Sequence, residues 1–104
     1  MGMTPEGRVK NEIKKLLKAH KVWFYCPMQN GYGTVGIPDF VCCLNGLFFA
    51  IEAKAPGKRS TLTPNQANVI TAIREHGGIA LVIDNILPLE EFFQAYEEQH
   101  AQDS

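Results

Sequence analysis

The sequence predicts an α/β fold, a mixed sheet flanked by helices, in the order helix, three strands, helix, strand, helix. Three observations lead there. The β-prone apolar runs Phe40–Leu44 and Leu47–Ile51 are joined by Asn45-Gly46, the residue pair suited to a two-residue type I′ hairpin. Apolar residues recur at helical spacing in three separate segments. Ile79–Ile83 is a continuous apolar run, as expected of a strand covered on both faces.

With 104 residues, the chain suffices for one hydrophobic core and not for two, so a single domain is expected over 1–104. Its core should span about 4–96, with a frayed polar tail from 97 to 104. No apolar run approaches the roughly 20 residues of a membrane span. The first residues, polar and basic, lack the apolar segment of a secretory signal. Three cysteines without a Cys-x-x-Cys spacing argue against a disulfide framework or a zinc site. A reducing, cytoplasmic setting is the expectation. The net charge of −1 conceals an asymmetry: residues 1–60 carry nine Lys/Arg against four Asp/Glu, and the remainder one against seven. Such a division suggests a basic face for an anionic partner, although solvated helix faces produce it too.

Taken in order, Thr4-Pro5 reads as an N-cap and first-turn proline. Val9, Ile13, Leu16 and Leu17 then mark one helical face up to about His20. Glu6 falls on that stripe, so it either points towards the sheet or is a first-turn acid favoured by the helix dipole. Lys10, Lys14, Lys18 and Lys21 form a basic rim. Val22–Cys26 reads as a buried strand ended by Pro27. Residues 29–36 form a glycine-rich loop that either admits a ligand close to the backbone or merely connects. Tyr32 within it could stack on a base or sugar.

The hairpin comes next. With Asn45-Gly46 as its turn, Asp39 stands directly opposite Glu52. Glu52, Lys54 and Asp39 share one face by the two-residue alternation of strands, while Phe40, Cys42, Leu44, Leu47, Phe49, Ile51 and Ala53 fill the other. Opposed carboxylates repel unless a cation lies between them, and Mg²⁺ favours one or two carboxylates with water. The plainer alternative is two solvated charges on an open sheet face. Ala55–Ser60 is a basic loop. Thr63 and Gln66 have capping-box spacing, yet Gln66 is also in phase with Ile70 and Ile73, so cap and inward-pointing site residue both fit. Gly77-Gly78 ends that helix, Asp84-Asn85 turns the chain, and Leu89, Phe92, Phe93 and Tyr96 mark the last helix.

Pro38-Asp39 followed by Glu52-Ala53-Lys54 resembles the PD-(D/E)XK nuclease signature. The flanking Gly36-Ile37-Pro38-Asp39 and the later Leu62-Thr63-Pro64-Asn65-Gln66 resemble its VRR-NUC branch, over roughly residues 4–96. One departure is plain: Val82-Ile83-Asp84 stands where many members carry Val-Arg-Arg. The resemblance implies a restriction-endonuclease-like core and metal-dependent hydrolysis of DNA. By it, Asp39, Glu52 and the Ala53 carbonyl would bind Mg²⁺ or Mn²⁺, with Glu6 supporting the metal. Lys54 would orient or activate the attacking water, and Gln66 would help order it. Lys10, Lys14, Lys58 and Arg59 are the expected phosphate contacts, with Tyr32 near the scissile strand. Stand-alone members resemble Holliday-junction resolvases, which implies branched DNA as substrate and a homodimer. Phe92, Phe93 or the Trp23 strand would supply its apolar patch. The rival readings are a non-catalytic DNA-binding module and a nuclease for RNA or restriction-type targets.

Overall fold

A computed structural model of the chain describes residues 2–28 and 35–101. Helix α1 (Pro5–Ala19) starts where Thr4 Oγ1 accepts the Gly7 N–H at 3.0 Å, with Pro5 in the first turn. Strands β1 (Trp23–Tyr25), β2 (Phe40–Leu44) and β3 (Leu47–Ala53) follow, then helix α2 (Pro64–Glu75), strand β4 (Ile79–Ile83) and helix α3 (Leu87–Ala101). The expected element order and fold class are those observed. The sheet order is β1-β2-β3-β4; the first two pairings are antiparallel and β3-β4 is parallel.

Asn45 and Gly46 both have positive φ, 50° and 86°, as a type I′ turn requires. The register that follows places Leu44 against Leu47 and Phe40 against Ile51. One sheet face carries Phe40, Cys42, Phe49, Ile51 and Ala53, all buried with Val9, Ile13 and Leu17 of α1 and Leu89 and Phe93 of α3. Burial pushes the Cys42 thiol up to about 12, so it packs as a neutral apolar group. Adjacent Cys43 points the other way and is exposed.

Three expectations need correction. The Val22–Cys26 strand is shorter and not buried: Trp23 and Tyr25 are 64% and 54% exposed, because β1 is an outer strand and α2 packs at the opposite side, against β4. Phe93 is 1% exposed and builds the core, with the partly buried Phe92 packed beside it, so Phe93 offers no surface patch. Residues 97–101 continue α3 rather than fraying; His20 stacks on Phe93 and its Nδ1 lies 2.6 Å from Glu97 Oε1, tying this end of α3 to α1.

No atom lies within 4 Å of where a Cβ on Gly46 would sit, so its side chain is excluded by backbone conformation alone. Gly46→Ala should therefore cost about 1–2 kcal/mol of stability in urea denaturation, with an unchanged denaturant slope.

Candidate active site

The hairpin ladder dictates what happens at its open end. Pairs next to a two-residue turn exchange both hydrogen bonds, and bonded and non-bonded pairs then alternate. Continued past Phe40 and Ile51, this makes Asp39 and Glu52 a non-bonded pair, the kind whose side chains approach most closely. Pro38 and Ala53 come next and would be a bonded pair. Proline has no N–H to return. The Ala53 N–H instead donates to Asp39 Oδ2 at 2.9 Å, which fixes that carboxylate. The Ala53 carbonyl leaves the strand on the same edge as its N–H, and Pro38 has no donor to offer it.

Glu52 and Lys54 are only 4% and 8% exposed and the Asp39 side chain 15%, so the alternative of Asp39 and Glu52 as two solvated charges does not hold. Glu52 and Lys54 are covered because the parallel pairing with β4 runs to Ala53 and Ile83, the Lys54 N–H continues it to the Ile83 carbonyl at 2.9 Å, and α2 packs on β4. Gln66 meets both charges from the first turn of α2. Its Oε1 accepts from Lys54 Nζ and from the Thr63 N–H, each at 3.0 Å, and its Nε2 donates to Glu52 Oε2 at 3.2 Å. A lysine ammonium and a backbone N–H only donate, so the two of them settle that the amide oxygen faces Lys54 and Thr63 and the amide nitrogen faces Glu52. The reciprocal half of the capping box, Gln66 N–H to Thr63 Oγ1 at 3.1 Å, is present too. Gln66 caps the helix and points inward to the buried pair at once.

Gly36 holds this turn against the loop before Asp39. Its φ is 90°, and a Cβ there would lie 2.5 Å from the Asn65 carbonyl carbon and oxygen and 2.8 Å from the Gln66 nitrogen. Only glycine lets the two backbones meet so closely.

At the other side of the acids, Lys10 Nζ lies 3.3 Å from Glu6 Oε2 and 3.4 Å from Asp39 Oδ1. Partial burial works against the charge on Lys10, but Asp39 and Glu6 outweigh it and hold the ammonium above its ordinary range. Glu52 is different. Burial, reinforced by the Asp39 charge, pushes its carboxyl up to about 7, with Lys54, 3.8 Å from Glu52 Oε2, pulling the other way.

An acid strained in this way suits a cation. Asp39, Glu52 and the Ala53 carbonyl would offer all-oxygen donors to a hard ion of the Mg²⁺ or Mn²⁺ type, with water completing the shell. Among the described residues no three His, Cys, Asp or Glu side chains gather into a metal cage. The fit is thus to two carboxylates, and Glu6 reaches the group through Lys10.

Of the expected phosphate contacts, Lys14 shares with Lys10, Cys26, Pro27, Asp39 and Phe40 a groove of about 160 Å³ beside the acids. Lys58 and Arg59 are exposed where a short 3₁₀ turn (Arg59–Thr61) begins. Asp84, in the place of a basic residue, anchors their loop by accepting the Gly57 N–H at 3.0 Å. Tyr32 lies outside the described residues. A larger cleft, 520 Å³, sits at the turn end of the hairpin by Phe48, Ile73 and His76, and none of the expected site residues line it.

No protein-family model and no curated protein matches the sequence. A solved structure described as "VRR_NUC domain" matches 90% of this chain and 99% of its own, with a TM-score of 0.76 at 22% identity. The chain has the VRR_NUC fold. Within that fold Asp39, Glu52, Lys54 and Gln66 meet at one corner of the sheet. The place of Lys10 between two acids and the seat of Gly36 on α2 were not anticipated. The i,i+4 spacing of Glu6 and Lys10 was the available signal for the former; a close backbone approach leaves none.

In metal-free protein, Glu52 binds its proton more tightly folded than unfolded. Its contribution to stability is complete below the ordinary value of 4.5 and is lost as pH rises through about 7. Thermal melts in EDTA should show this decline in the wild type, and Glu52→Gln should flatten it.

Proposed function

We propose that this chain is a divalent-metal-dependent DNA endonuclease, selective for branched DNA of the Holliday-junction kind and active as a homodimer. One observation carries the reading: a carboxylate and an ammonium, Glu52 and Lys54, are buried side by side with the Gln66 amide between them, on the pleat where Asp39 opposes Glu52. Burying two charges is unfavourable, and a site that must act on a phosphodiester accounts for it.

Asp39, Glu52 and the Ala53 carbonyl would hold Mg²⁺ or Mn²⁺. Such an ion stabilises charge developing on a phosphate and lowers the pKa of bound water. Lys54, its ammonium fixed by Gln66 Oε1, presents a positive charge beside Glu52 and orients the attacking water. Gln66 orders Lys54 and Glu52 relative to each other. Lys14, Lys58 and Arg59 are exposed and available to phosphates. Nothing in this set reads base edges, which favours recognition of DNA shape. For the dimer, Trp23, Tyr25, Cys43 and Phe48 present an exposed row on one sheet face. A two-fold pairing would bring two sites to two strands.

The deciding experiment incubates purified protein with a labelled four-way junction and Mn²⁺, with and without EDTA, beside single-stranded, duplex and flap DNA and RNA. Junction cleavage that needs the metal is expected. Asp39→Ala and Lys54→Ala should each lower it at least about 100-fold while junction binding persists. Binding with no metal-dependent product would make this a DNA-binding module, and preferential cutting of RNA or linear duplex would replace the substrate assignment.

A further inference from the structure

We infer that Lys10 is a resident cation that holds the acidic corner together before metal binds and that the metal must displace. The inference rests on the proposed metal site. Lys10 is one turn along α1 from Glu6 and bridges it to Asp39 Oδ1, at 3.3 and 3.4 Å. The other oxygen of Asp39, Oδ2, is taken by the Ala53 N–H, so Oδ1 is the one left to face a ligand, and the Lys10 ammonium sits on it. Metal and ammonium therefore compete for one oxygen. A monovalent charge on a flexible four-carbon stem can leave without moving the backbone. Its side chain is 40% exposed, which gives it an outward path along the groove shared with Lys14. Lys14 provides the comparison, since it lines that groove but makes no ion pair among the described residues.

Titration calorimetry with Mn²⁺ tests this on the full chain, using wild type, Lys10→Met, Lys14→Met and Asp39→Asn, with metal-free melts alongside. The ion pair with Asp39 Oδ1 must break for the metal to enter, so Lys10→Met should bind Mn²⁺ roughly three- to fivefold more tightly than wild type. Lys14→Met should stay within about twofold of wild type, because it removes the same charge without breaking a pair. Metal-free Lys10→Met should melt a few degrees lower, yet gain more from added Mn²⁺. A lower melting point with unchanged Mn²⁺ affinity would make Lys10 a structural residue and overturn the inference, leaving the metal site intact. Equal tightening in Lys14→Met would reduce the effect to net charge and overturn it as well. Absence of Mn²⁺ binding in both wild type and Lys10→Met, or binding unaffected by Asp39→Asn, would overturn the metal site and this inference together.

Discussion

The register of one hairpin governs this molecule. Two residues with positive φ, Asn45 and Gly46, decide which side chains meet across β2 and β3. A slip by one residue would set Asp39 opposite Ile51 or Phe40 opposite Glu52, so that one strand would turn its charges into the face that packs on α1 and α3 and its apolar residues out of it. The apolar face and the charged corner are thus specified by the same turn. Every kilocalorie gained by packing Phe49 and Phe93 also holds the two acids in opposition.

That opposition is tolerated because each charge has a partner of its own. Asp39 has the Ala53 N–H on one oxygen and Lys10 on the other. Glu52 has the Gln66 amide and Lys54 nearby, and its carboxyl still favours the proton. The corner is satisfied but not relaxed. The parallel strand β4 is what makes the burial possible, since it extends the sheet beyond Glu52 and brings α2 over it. An antiparallel meander would have placed a turn there, and the two charges would have faced water.

Local chemistry explains what was legible in the sequence. Asn45-Gly46, Thr4-Pro5, Thr63-Pro64 and Gly77-Gly78 each act within a few residues, so element order and hairpin register could be read directly. From the register came the pairing of Asp39 with Glu52, and from alternation the company of Lys54. The failures concern packing between distant segments. Trp23 and Tyr25 have strand chemistry, but nothing in their neighbourhood indicates that no helix covers them. Polar residues at the end of α3 look like a tail until His20, 77 positions away, reaches Glu97. Gly36 resembles any loop glycine until the backbone of Asn65 is placed against it.

Gln66 spends one side chain on two tasks, starting a helix and seating a buried charge pair. Folding yield and chemical competence are therefore entangled at this position. A survey of variants scored by cellular abundance and another scored by strand scission would flag the same substitutions there, and neither could be read without the other. Only a replacement that keeps an acceptor for the helix start and loses the amide donor would pull the two readouts apart.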